Sequence, residues 1–197
     1  AKTETIDLVQ KQKNEALEKA KADSIAKLNE AKKEEYKKRL KELKKNFIVK
    51  KDEFNNTAWY IHKNQTIDNS YNRKCLKTHI NSDGYIYLED QFYSDDWIFH
   101  TSIQVKIAEN IYNSSVVETY NENNKTENGG ESVWENISYT DDKDYEIIRA
   151  IAKSGDNPVK IRFVGKQYNS DFTLSKKDKK AIKDGYELAY LLKKAEK

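Results

Sequence analysis

From Glu4 to Asn46 the chain runs for 43 residues without a glycine or a proline, and Lys, Glu, Ala and Leu dominate it. These are strong helix formers, so the segment is predicted to be one long helix. Its apolar residues, Ile25, Leu28, Tyr36, Leu40, Leu43 and Phe47, recur at steps of three or four except where Lys32, beside the small Ala31, interrupts them. A stripe broken in its middle argues against a strong autonomous coiled coil. At 1.5 Å per residue such a helix reaches roughly 60 Å, longer than a compact domain built from the remaining residues is wide. Much of it is therefore expected to project as a stalk or to pair with a partner. Residues 1–50 carry 14 Lys, one Arg and nine acidic residues, a net +6, whereas the rest of the chain is near −3. Acids interleave with the lysines at pair spacing, as in Glu15 with Lys19 and Glu34 with Lys38, and Arg39 is the only arginine of the segment. This reads as a solvated face rather than as an arm for nucleic acid.

Beyond "KKDEF" the pattern changes to short aromatic and β-branched runs broken by Asn, Asp, Ser and Gly. Strands are predicted near 57–62, 73–80, 85–89, 97–107, 116–120, 132–138 and 159–164. Alternation is clearest in the last, where Val159, Ile161 and Phe163 share one face and Lys160 and Arg162 the other. "NSDG", residues 81–84, is a hairpin turn by composition. The polar stretch "NENNKTENGG", residues 121–130, reads as a long insertable loop. Two helices follow from their caps and apolar spacing. One starts at Thr140 or Asp141, buries Ile147, Ile148 and Ile151, and stops at Gly155; the other starts at Ser175, with Asp178 in capping-box spacing, and buries Ile182, Tyr186, Ala189 and Leu192. The expected architecture is α+β: a mainly antiparallel sheet with two packed helices over 50–197, preceded by a long charged helix over 1–49.

The sequence contains no Met, which points to a mature exported chain whose leader or lipoprotein segment ended before Ala1; a shortened cytosolic chain is the other reading. Cys75 is the only cysteine, so the fold contains no internal disulfide and relies on packing. No apolar run of about 18 residues is present, so any membrane attachment is expected through a removed anchor rather than a transmembrane helix.

"YSDDWIFH", residues 93–100, is the most compact cluster of reactive side chains. Asp95, Asp96 and His100 could serve a hydrolase or a metal-dependent enzyme, or the two aspartates could close a turn ahead of a strand. Adjacent strand residues point to opposite faces, which disfavours Asp95-Asp96 and Glu89-Asp90 as paired catalytic groups. His62, His79 and His100 lack the spacing of a local metal site, and no calcium loop, nucleophile elbow or phosphate cradle occurs, so no metal or cofactor is expected. Trp59, Trp97 and Trp134 are the expected core anchors. Tyr71, Tyr112 and Tyr168, in loops, are candidate recognition residues for a protein or glycan.

Four segments, "KKDEFNNTAWY", "YSDDWIFH", "VWENISY" and "IRFVGKQYNSDFTLSKKDKKAI", occur in this order. Together they resemble a family of uncharacterised bacterial and phage-borne domains, often in exported proteins or lipoproteins, with D-x-F…T-W-Y, D-D-W and R-F-x-G-x-x-Y motifs. The resemblance covers roughly residues 50–194; Ala58 before Trp59 and an enlarged 121–130 loop depart from its pattern. It implies an extracytoplasmic, membrane-tethered or surface protein. The leading expectation is a non-enzymatic binding or adaptor protein that presents a β-rich head on a helical stalk. The alternatives are an enzyme centred on Asp95, Asp96 and His100, and a structural protein that forms homo-oligomers through residues 4–46.

Overall fold

The computed structural model describes residues 2–65 and 72–195. Helix α1 (Lys2–Lys44) is followed by β1 (Phe47–Asp52), β2 (Thr57–His62), β3 (Cys75–Asn81), β4 (Ile86–Ser94), β5 (Ser102–Ile107), β6 (Asn110–Asn113), β7 (Asn124–Gly129) and β8 (Ser132–Tyr139). Helix α2 (Asp142–Ala152), β9 (Val159–Val164), β10 (Asn169–Thr173) and α3 (Lys176–Ala195) complete the order. The described strands form two antiparallel sheets, one of order β1-β2-β3-β4-β8-β7 and one of order β10-β9-β5-β6. The fold is α+β, with the long helix at the N-terminus as expected.

Alternation dictates which face of each sheet is dry. On β4, Ile86, Leu88 and Phe92 turn inward, and on β8, Val133, Ile137 and Tyr139 do the same. On the smaller sheet the inward residues are Ile103, Val105 and Ile107 of β5 with Val159, Ile161 and Phe163 of β9. Ile147, Ile148 and Ile151 of α2 and Ile182, Leu188 and Leu192 of α3 join them in one continuous core. Phe92 and Phe163 meet edge to face at 5.4 Å, linking the two sheets. The caps behave as read. The Asp144 carboxylate accepts the Asp141 N–H at the start of α2, and Ser175 Oγ accepts the Asp178 N–H at the start of α3. In the β3–β4 turn Gly84 has φ +79 and lies against α3, where a Cβ would come within 2.6 Å of the Ala189 carbonyl oxygen.

Several local expectations are corrected. Residues 97–101 form an irregular bend, and β5 begins only at Ser102. Residues 116–120 are not a strand either, although the Val117 N–H donates to the Thr101 carbonyl. The polar stretch 121–130 contains edge strand β7, paired along its length with β8, and a Cβ at Gly129 would come within 3.3 Å of the Trp134 ring. Strands β1, β6 and β10 also arise where none was predicted. All three are sheet edges, where one face and one side stay wet and the apolar signal is weak. The tryptophans are half-buried, and Tyr139, Phe92 and Phe163 are the large rings sealed in the core.

The 49/50 boundary falls inside β1, and the core takes in Leu43 and Phe47. The end of α1 is fastened to α3 by an edge-to-face contact of Tyr36 with Tyr190, by the Arg39–Glu187 fork and by Asn46 Nδ2 donating to Asp184. Further up the helix, Leu17, Ile25 and Leu28 are each more than half exposed. This contrast is testable by urea unfolding. Leu43→Ala should cost about 2–5 kcal/mol, the range for a buried leucine, whereas Leu28→Ala should stay within about 0.5 kcal/mol.

Candidate functional site

The inward face of the larger sheet carries two carboxylates where its pattern calls for apolar residues. Asp90 on β4 lies opposite Ile137, and Glu135 on β8 lies opposite Phe92, so the two are diagonal neighbours across one strand pair. His100, arriving from the bend before β5, enters between them with its side chain fully buried. Its Nδ1 lies 2.7 Å from Glu135 Oε2, and its Nε2 lies 3.0 Å from both oxygens of Asp90. Both ring nitrogens face acceptors, so both donate and the ring is an imidazolium. Burial alone would push its pKa down, but Asp90 and Glu135 more than reverse this and raise it to about 9. For Glu135 burial pushes upward and the His100 ring, with the backbone N–H groups around it, holds the carboxyl below its usual range.

The remaining lone pairs are also used. Asp90 accepts the Ile137 N–H at 3.1 Å and the Tyr139 hydroxyl at 2.7 Å. Burial and the neighbouring Asp90 push the Tyr139 phenol far above its ordinary pKa. Glu135 accepts the backbone N–H groups of Ile98, Phe99 and His100 at 2.8, 2.9 and 2.8 Å. Three consecutive amides on one carboxylate set the shape of the bend. Within it Phe99 has φ +49, a conformation that costs a side-chain-bearing residue roughly 1–2 kcal/mol. The Phe99 ring stacks on Trp97 at 5.6 Å with an interplanar angle of 12°, and 46% of the residue remains exposed. The turn after β9 closes over the bend, with the Lys166 N–H donating to the Ile98 carbonyl. Gly165 is required there, since a Cβ would overlap the Ile98 and Tyr168 carbonyl oxygens.

The sequence-predicted residues separate. Asp95 and Asp96 are exposed; Asp95 accepts from the Ser94 hydroxyl and Asp96 from the Trp97 N–H, and neither is hydrogen-bonded to His100. The first part of the strand expected near 97–107 is replaced by the bend. Tyr168 is 67% exposed beside the bend, Tyr112 packs partly against the core, and Tyr71 lies outside the described residues. The three histidines are dispersed: His62 bonds to Asp184 at 3.1 Å, and His79 stacks on Tyr87 at 4.8 Å. Among the described residues no group of three or more His, Cys, Asp or Glu side chains is arranged to hold a metal ion. The partners that sequence reasoning missed are Asp90 and Glu135. A signal existed: Asp90 sits between Leu88 and Phe92, and Glu135 between Val133 and Ile137, each a charge in an inward-facing register.

Comparison of the chain with models of known families, with curated proteins and with solved structures finds no match.

A pH dependence follows. An unfolded imidazole loses its proton near pH 6.5, whereas the folded His100 keeps it to about pH 9. Between those values the folded state holds the extra proton, so the contribution of His100 is full below pH 6.5 and is lost as pH rises, by roughly 3 kcal/mol. An NMR titration of the His100 ring should show a midpoint near 9; a midpoint near 6.5 would contradict the imidazolium assignment.

Proposed function

We propose that this chain is a non-catalytic binding protein whose recognition element is the Trp97–Phe99 bend, carried on a head that the helix α1 extends from a support. The observation that carries this reading is the conformation of Phe99. A bulky residue at φ +49 is held by a fully buried carboxylate and histidine and turns its ring outward instead of into the core. Strain that the surroundings over-determine is characteristic of functional positions. Rigid, partly exposed aromatic rings provide binding area at small entropic cost. The expected catalytic use of Asp95, Asp96 and His100 has less support, because both ring nitrogens of His100 are engaged in a sealed site while the two aspartates face solvent. Within this proposal the setting is extracytoplasmic, as the motif resemblance implies, and the partner is a protein or a glycan at a surface.

Phe99→Gly separates recognition from folding, since glycine adopts φ +49 freely while the ring is removed. Its stability should stay within about 1 kcal/mol of the wild type, relief of strain offsetting the lost stacking. Arrays of immobilised glycans and exported-protein ectodomains, probed with the full chain, should give ligands that Phe99→Gly and Trp97→Ala both lose. Ligands retained by both variants would overturn the role of the bend.

A further inference from the structure

The outer face of the four-stranded sheet holds an arrangement that folding alone does not favour. On β5 the residues between the buried Ile103, Val105 and Ile107 are Gln104 and Lys106, and on β9 those between Val159, Ile161 and Phe163 are Lys160 and Arg162. The register sets Lys106 directly opposite Lys160. Directly opposed side chains on neighbouring antiparallel strands have Cβ atoms about 5 Å apart, and like charges at that distance are destabilising. Both lysines are exposed, and among the described residues neither forms an ion pair. Arg162 beside them is clamped by Asp171 through two bonds of 2.7 Å, which leaves that carboxylate committed. Between these side chains lies an open cavity of about 630 Å³, with Ile111 and Thr173 also on its walls.

We infer that this face binds an acidic polysaccharide, whose sulfate or carboxylate groups would lie between Lys106 and Lys160 and relieve their repulsion. Charge complementarity selects an anionic ligand, and the remaining side chains select its type. Single-stranded nucleic acid on a sheet needs outward aromatic rings on which bases stack. Here Phe172, the ring that borders the cavity, turns inward and stacks on Phe163 at 5.3 Å. Beside the exposed Ile111, the outward neutral groups are amides and a hydroxyl, with Gln104 Nε2 donating to Asn113 Oδ1 and Thr173 exposed, groups suited to sugar hydroxyls. This surface and the Trp97–Phe99 bend are separate proposals, and neither depends on the other.

Titration calorimetry on the full chain would use a heparin-derived sulfated oligosaccharide, an oligogalacturonate, a neutral malto-oligosaccharide and oligo(dT). An acidic oligosaccharide should bind, with affinity falling as salt rises, and K106T or K160T should each weaken it at least about fivefold. Both variants should melt no lower than the wild type, because threonine suits a strand and the opposed charges are gone. A control change at Lys125 on β7, in the other sheet, should leave affinity unchanged. The inference is overturned if neither acidic oligosaccharide binds, if the neutral one binds as well, if oligo(dT) binds more tightly, or if K106T and K160T leave affinity intact.

Discussion

A single imidazolium between two carboxylates joins the parts of this fold. Asp90 and Glu135 belong to neighbouring strands of the larger sheet, and His100 leads directly into β5 of the smaller one. Its ring also meets Phe163 edge to face at 5.1 Å, so the charged joint and the apolar joint between the sheets are the same place. Taking such charges out of water costs several kcal/mol each, and a buried pair breaks even only when its remaining hydrogen-bonding capacity is filled. Here it is filled, by four backbone N–H groups and the Tyr139 hydroxyl. An apolar substitute could match the stability, but it could not aim three successive amides at one point. The charged solution therefore specifies the geometry of the bend more than it strengthens the core.

That geometry has an outward consequence. The carboxylate that neutralises His100 also holds Phe99 in its strained conformation, and the strained conformation puts the Trp97–Phe99 stack at the surface. Core and surface are thus two ends of one hydrogen-bonded unit. Asn124 extends it, its side-chain amide donating to the carbonyls of His100 and Val117, and so ties the start of β7 to the same bend. A change at the centre of the unit would be felt at the surface without any direct contact.

The long helix divides by packing, not by composition. Its last turns meet α3 through Tyr36 and Arg39 and place Leu43 in the core, whereas in the run above them Leu17, Ile25 and Leu28 are each more than half exposed. Lys32 marks the change, since it stands where the stripe would otherwise continue into the packed region. The upper part of α1 is therefore the exposed part, and its lower part is a structural element of the core.

What was legible in the sequence is what repeats locally. Glycine-free runs of helix formers define α1, caps and isoleucine spacing define α2 and α3, strict alternation defines β9, and Asp-Gly defines the β3–β4 turn. Each depends on residues a few positions apart, so the chain alone determined these elements and the α+β class, but not the edge strands β1, β6, β7 and β10. Tertiary structure decided the rest. His100 takes its partners from ten residues before it and 35 residues after it. Lys106 faces Lys160 only because β5 and β9 pair in that register. A polar stretch such as Asn124–Gly129 becomes a strand only when β8 offers it a ladder. The physical reason is common to all three: compensation of a buried charge, strand register and edge pairing are satisfied across space, by partners that the local pattern of the chain does not identify.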